Sequence, residues 1–211
     1  MARIRSILGD IEGSAGQLTF TKVNGQNILR QKVGSNTSNT PAQQNTRSRF
    51  KLLADLYKKL APALTLGLKA QGGQSAYNRF VGQNFSATSA DAQNVASIDY
   101  LLMQLSAGSV EPLDDFVASK GPMGSDTITA TWADNSNGAG ALAADTVTVV
   151  VINKLTGLIV TDAEGAVRSD GTLSVTNARF AGVASANLVA YGFARRFDGS
   201  DASSTAVEQV S

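Results

Sequence analysis

The chain contains no cysteine and no histidine. Without cysteine there is no thiol nucleophile, no disulfide and no thiolate metal ligand. Without histidine there is no imidazole base and no Cys/His zinc site. Most hydrolase, dehydrogenase and metalloenzyme templates fall with these two residue types, so neither catalysis nor a cofactor is expected. Absent cysteine also fits a reducing compartment. Long apolar runs are missing too. The longest, Val147-Thr148-Val149-Val150-Val151-Ile152, is far short of the ~18 residues that suggest a membrane span. After the basic Met1-Ala2-Arg3-Ile4-Arg5 comes Ser6-Ile7-Leu8-Gly9-Asp10-Ile11-Glu12, which is no continuous apolar stretch. No secretory signal is therefore expected, and the product is expected to be soluble and made in a cytoplasm. The sequons Asn36-Thr37-Ser38 and Asn84-Phe85-Ser86 then carry no expectation of glycosylation.

The residues present suffice for a core: 211 residues, of which 43% are hydrophobic. The net charge of +1 hides a split. Residues 1–81 hold twelve Lys/Arg against three acids, or +9, and residues 82–211 hold six against fourteen, or −8. Such halves attract each other within one molecule or between copies. The positive residues do not form a Lys/Arg run interleaved with aromatics, so no specific nucleic-acid partner is expected, and no membrane.

The pattern predicts an α+β chain in three parts. Residues 1–35 form an extended arm with a β-hairpin. Leu18-Thr19-Phe20-Thr21-Lys22-Val23 alternates, Asn24-Gly25 turns, and Gln26 to Val33 returns with Ile28, Leu29 and Val33. A lone hairpin is only marginally stable, so this one must lie on something else. Residues 36–97 form a basic helical segment. Thr40 is a candidate N-cap, Pro41 a first helical residue and Gln43 a capping-box partner. Phe50, Leu53, Ala54, Tyr57, Leu60 and Ala61 then recur at helical spacing, widened by Leu52 and Leu56. Pro62 is expected to kink or end this helix, and Gly67 to weaken any helix beyond it. After Gly72-Gly73, a second helix is expected from about Ser75 to Phe85, and residues 86–97 read as a connection.

Residues 98–211 form an acidic antiparallel β-sandwich, immunoglobulin/fibronectin-like in outline. Its strands are read at Tyr100–Leu105, Thr127–Trp132, Thr146–Ile152, Leu158–Val160, Thr172–Val175 and Leu188–Phe193, with the lone Trp132 in the core. No internal repeat is evident.

Several short motifs spell known chemistry, and their surroundings decide each. Gly138-Ala139-Gly140-Ala141-Leu142-Ala143 spells a loose dinucleotide turn, but a β-branched run comes after it where a helix is required, so it reads as a loop. Ser48-Arg49-Phe50-Lys51 spells S-x-x-K without the S-D-N and K-T-G partners. Asp134-Asn135-Ser136-Asn137-Gly138 offers hard oxygen ligands for a weak calcium site. Ala139 and Asp145, however, stand where an EF-hand needs Gly and Glu, and a turn rich in Asp, Asn and Gly needs no metal. Asp114-Asp115 and the pair Asp162/Glu164 are carboxylates without a cleft to work in. A glycosidase would need two acids ~5–9.5 Å apart, which the sequence does not place.

The basic helix is the candidate functional element. Arg47, Arg49, Lys51, Lys58 and Lys59, together with Phe20 and Ile28 of the arm, form a candidate assembly interface against an acidic neighbour. Arg47 and Arg49 near the helix start oppose the macrodipole by ~0.3–1 kcal/mol, which a bound acid would offset. The ordinary alternative is a solvated helix face.

Several segments together resemble an uncharacterised family of proteins of about this length from Bacteroidota and their bacteriophages. They are the glycine-spaced start (Met1-Ala2-Arg3-Ile4, Ile7-Leu8-Gly9, Gly13, Gly16), Thr40-Pro41-Ala42-Gln43-Gln44-Asn45-Thr46-Arg47-Ser48-Arg49-Phe50, Ser75-Ala76-Tyr77-Asn78, and Trp132-Ala133-Asp134-Asn135 ahead of Asp145-Thr146-Val147. Leu18-Thr19-Phe20-Thr21 departs from the aromatic-rich stretch of that family. The resemblance implies a virion component without catalytic residues: a tail, collar or capsid-surface protein made in the host cytoplasm. It would assemble with copies of itself, as ring or tube, and with other virion proteins. The alternative is a sandwich module anchored by its N-terminal part, whose loops near Asp134–Gly140 and Asp162–Gly171 bind a glycan or protein.

Overall fold

The computed structural model describes residues 2–4 (backbone only), 12–23, 25–32, 34, 38–122, 124–162 and 166–211. The chain divides into two compact units, Met1–Thr40 and Pro41–Ser211.

The first unit is an antiparallel sheet in the order β1-β4-β3-β2, built from β1 (Ala2–Ile4), β2 (Gly13–Ala15), β3 (Leu18–Val23) and β4 (Gln26–Gln31). The expected hairpin is β3–β4, with Gly25 at φ +76° in its turn; Asn24 and Val33 lie outside the described residues. Gly16, at φ +57°, turns β2 into β3, so the lead-in contributes strands of its own. No side chain described in this unit is buried.

In the second unit, α1 (Pro41–Gly67) starts at the expected proline but does not end at Pro62. Pro62 is exposed, and so is Lys58, the residue whose carbonyl the proline's missing N–H would otherwise reach. Leu60, Ala63, Leu64 and Gly67 are buried on either side of it and hold the last turns against the core. Gly67 does not weaken the chain there; it permits close approach. A Cβ at this position would lie 2.7 Å from the Leu105 carbonyl oxygen and from Ser106 Cβ. α2 (Ala76–Asn84) is capped by Ser75, whose Oγ accepts from Asn78 N at 3.2 Å.

The connection expected at residues 86–97 contains a two-stranded hairpin, β5 (Thr88–Ala90) with β6 (Ala96–Ile98). The strand expected at Tyr100–Leu105 is absent. Asp99 caps a 3-10 turn at Tyr100–Leu102 by accepting from Leu101 N at 3.0 Å. Gln104 N then donates to Asn84 Oδ1 at 2.7 Å, and the N–H groups of Leu105 and Ser106 donate to Thr205 Oγ1 at 2.9 and 2.8 Å, rather than to a ladder. Met103 and Leu105 are fully buried nonetheless, which accounts for their apolar spelling.

Seven more strands complete the unit: β7 (Asp114–Lys120), β8 (Thr127–Ala133), β9 (Thr146–Asn153), β10 (Ile159–Asp162), β11 (Thr172–Thr176), β12 (Leu188–Arg195) and β13 (Ala206–Gln209). They form two antiparallel sheets, β10-β9-β12-β13 and β11-β8-β7. The fold class is α+β. Val147, Val149, Val151, Leu188 and Ala190 of the larger sheet share a core with Phe116, Ile128, Ala130, Trp132 and Val175 of the smaller one. The alternate residues Val150, Ile152, Val189, Tyr191 and Phe193 form a second core with Leu53, Leu56, Leu60 and Leu64 of α1 and Phe80 of α2. β9 and β12 are thus covered on both faces, which is why Val147–Ile152 is nearly continuous in apolar character instead of alternating. The helical segment and the β-region, divided at residue 97 by composition, share this second core within one compact unit. Gly192 of β12 faces Phe116, whose ring would lie 2.3 Å from a Cβ there. The aromatic ring fills the place a larger residue would need.

Candidate functional site

The seven residues of the candidate interface fall on different surfaces. In the arm, Phe20 pairs across the ladder with Leu29, and Ile28 pairs with Thr21. Directly paired residues share a face and adjacent residues do not, so Phe20 and Ile28 lie on opposite faces of the sheet. The face that carries Phe20 also carries Leu18, which pairs with Ala15, and Leu29. Leu18 is 40% exposed, and Phe20 and Leu29 are half-buried.

On α1, the spacing of Arg47, Lys51 and Lys58 puts these exposed residues on one side, opposite the buried stripe of Leu53, Leu56 and Leu60. Lys58 pairs weakly with Asp55 at 4.0 Å across the surface. Arg49 falls on the buried side instead. Its Nε donates to Thr88 Oγ1 at 2.9 Å and its Nη2 to the Phe85 carbonyl at 2.7 Å, with the guanidinium 3.9 Å from the Phe85 ring centroid. Arg49 clasps α1 to β5, so its guanidinium is engaged within its own unit. Lys59 lies on the flank of the helix and lines a groove with Asn153, Thr156, Gly157, Leu158, Ile159, Arg179 and Val183.

One end of the β-sheets carries a buried polar cluster that no sequence motif announces. Arg168 is fully buried, in a 3-10 turn just before β11. Its Nη2 donates to the Glu111 carbonyl at 2.7 Å, and its Nη1 to the Pro112 carbonyl at 3.2 Å and to Asn135 Oδ1. Asp145, also fully buried, has Oδ2 3.8 Å from Arg168 Nε and 3.5 Å from Arg196 Nη1, and it accepts from Leu142 N at 2.9 Å. Burial pulls the Arg168 guanidinium below its ordinary value, and the nearby Asp145 carboxylate opposes that shift. Trp132 is in the core as expected, and its indole N–H donates to the Arg168 carbonyl at 2.8 Å.

This cluster ties down the loop whose composition suits calcium. Asp134 Oδ1 accepts from Ser136 N and Asn137 Oδ1 from Ala139 N, both at 3.0 Å, while Asn137 Nδ2 donates to Glu111 Oε2 at 2.7 Å. The loop oxygens serve its own turns. Gly138-Ala139-Gly140 is a loop closed by Gly138 N on the Ala141 carbonyl, as its surroundings required. Ser48 Oγ donates to the Asn45 carbonyl at 2.8 Å, an internal helix contact. Asn84 of the second sequon is buried, with its amide bonded to Phe80 O, Gln104 O and Gln104 N. Asn36 and Thr37 of the first sequon, and Glu164 beside Asp162, lie outside the described residues. Among the described residues, no three acidic side chains are grouped to hold a metal ion, and no helix is long and apolar enough to cross a membrane.

A family model described as a family of unknown function, DUF6266, matches residues 11–206, from the arm sheet to the first residue of β13. The chain belongs to that family. The match runs from β2 through β12, so DUF6266 membership covers most of both units, leaving out β1 and all but the first residue of β13. No curated protein matches the chain.

Proposed function

We propose that this DUF6266 protein is a self-assembling structural subunit without catalytic activity, whose N-terminal sheet packs on a second copy of the chain. The observation that carries the reading is the arm. It is a four-stranded sheet in a unit of 40 residues, and no side chain described in it is buried. Units of about 40 residues or fewer usually need disulfides, metals or oligomerisation to be stable. This chain has no cysteine. That removes disulfides, and we infer association as the route, with Leu18, Phe20 and Leu29 supplying the apolar face for it.

Charge favours a second copy as the occupant. Residues 1–40 hold five Lys/Arg against two acids, or +3, and residues 41–211 hold thirteen against fifteen, or −2. An arm of one copy on the second unit of another is a head-to-tail contact, which closes into a ring or runs on as a tube. We read the seven-stranded pair of sheets as the immunoglobulin/fibronectin-like sandwich expected of the sequence. We place the subunit in a tailed-bacteriophage virion, at the tail, collar or capsid surface, with other virion proteins as further partners. That placement is supported by the resemblance to proteins of Bacteroidota and their phages.

The test is size-exclusion chromatography with light scattering at low and high salt, on the natural chain and on Phe20→Asp. The natural chain is expected to form an oligomer that weakens as salt rises, and Phe20→Asp to run as a monomer. A natural chain that is monomeric at every concentration and salt contradicts the reading.

A further inference from the structure

The groove beside Lys59 is independent of the arm and lies wholly within the second unit. It has a volume of about 710 Å³, within the ~300–1,000 Å³ typical of small-ligand sites. Its floor combines Leu158, Ile159 and Val183 with four polar side chains. Each of these has a donor that no described residue accepts. Lys59 and Arg179 are exposed and pair with no carboxylate among the described residues. Asn153 is 2% exposed, and its Oδ1 is occupied by the N–H groups of Leu155 and Thr156 at 2.9 and 3.3 Å. Its Nδ2 donates to no described residue. Thr156 Oγ1 accepts from Leu158 N at 3.3 Å, which leaves its own proton to give. Among the described residues no carboxylate lines the groove.

The backbone beneath is formed to keep this space open. Gly157 N donates to the Asn153 carbonyl at 2.8 Å, and Gly157 takes φ +65°. A Cβ on Gly157 would lie 3.5 Å from Lys59 Nζ, so the ammonium sits directly over the turn. The lining thus presents donors and positive charge on one side and aliphatic carbon on the other, in a unit whose net charge is −2. A neutral ligand leaves two cations unanswered. An acid without hydrocarbon leaves the aliphatic floor wet. Among the described residues no aromatic side chain lines the groove, so a stacked sugar or base has no platform on them.

We propose that the groove binds a small amphiphilic oxyanion, its carboxylate or phosphate held by Lys59, Arg179 and Asn153 Nδ2 and its hydrocarbon part laid on Leu158, Ile159 and Val183. The test is an NMR titration of the full chain with hexanoate and with hexyl phosphate, using hexanamide as the neutral control, repeated on Arg179→Gln and Lys59→Gln. Both substitutions are at exposed positions and leave the cores intact. Saturable shifts at the amides of Gly157 and Val183 are expected with at least one anion, weakened tenfold or more in Arg179→Gln and severalfold in Lys59→Gln. The tighter anion identifies the head group. The proposal is overturned if neither anion saturates, if hexanamide binds as tightly, or if both variants bind like the natural chain.

Discussion

At the scale of single residues, two buried polar side chains have consequences out of proportion to their number. Arg168 joins the segment at Glu111–Pro112, the loop at Asn135 and the buried Asp145. Removing the cation leaves Asp145 fully buried with Arg196 at 3.5 Å as its remaining charge partner. Breaking such a buried pair costs about 3–5 kcal/mol, so Arg168→Met is expected to lower stability in urea by that amount. Arg168→Met combined with Asp145→Asn is expected to recover part of it, and a loss below about 1 kcal/mol would show the cluster to be incidental.

Tyr191 is the second case. Its hydroxyl donates to the Tyr100 carbonyl at 2.7 Å, and burial raises the phenol far above its ordinary 10.0. The folded chain therefore keeps this proton when the unfolded chain loses it. The associated stability is complete below pH 10.0 and falls as pH rises beyond that value. Tyr191→Phe is expected to cost about 1 kcal/mol at neutral pH and to flatten the alkaline decline. An unchanged slope above pH 10 in denaturant titrations would refute the assignment. Neither residue is legible from the sequence. The acceptors of Arg168 are mostly backbone carbonyls, which no side-chain spacing encodes, and Tyr191 looks in sequence like any strand aromatic.

At the scale of elements, legibility tracks the strength of the local signal. Pro41 and Ser75 mark helix starts by backbone chemistry, and both helices begin where those residues say. β8, β9 and β11 are rich in threonine and β-branched residues and are readable, and β12 is readable from its apolar run Leu188–Tyr191. β7, spelled Asp-Asp-Phe-Val-Ala-Ser-Lys, is not: it opens with two acids, has a bulge between Asp114 and Val117, and buries only Phe116 and Ala118. β13 escapes too, because its residues Ala206–Gln209 are only half-buried and lack alternation. Tyr100–Leu105 reads falsely as a strand. Burial of Met103 and Leu105 supplies the composition, while Asp99 and Thr205 take the backbone bonds.

Pro62 teaches the opposite lesson, since packing by Leu60, Ala63 and Leu64 overrides a strong local breaker. Pro62→Ala restores a donor to the Lys58 carbonyl in an exposed position. A proline in a helix interior costs ~3 kcal/mol, partly offset by the restraint it places on the unfolded chain. A net gain of about 2 kcal/mol is expected in thermal or urea unfolding. Equal or lower stability would show that the local helix depends on the proline.

At the scale of the whole molecule, the charge split seen along the sequence changes meaning once the units are drawn. The +9 and −8 halves divide at residue 81, inside α2, whereas the compact units divide at Thr40 and carry +3 and −2. Much of the apparent asymmetry is internal to one unit, where Arg49 is spent on β5 and only Arg47, Lys51 and Lys58 form an outward stripe. For the proposed contact between copies there remain a smaller electrostatic attraction and the apolar face of the arm. Assembly is therefore expected to rest chiefly on Leu18, Phe20 and Leu29, with salt modulating it. The most direct measurement is amide hydrogen exchange of residues 18–31 as protein concentration is raised. The account predicts that protection of β3 and β4 climbs with concentration while that of β9 and β12 stays constant. Protection of the arm that does not change with concentration would contradict it.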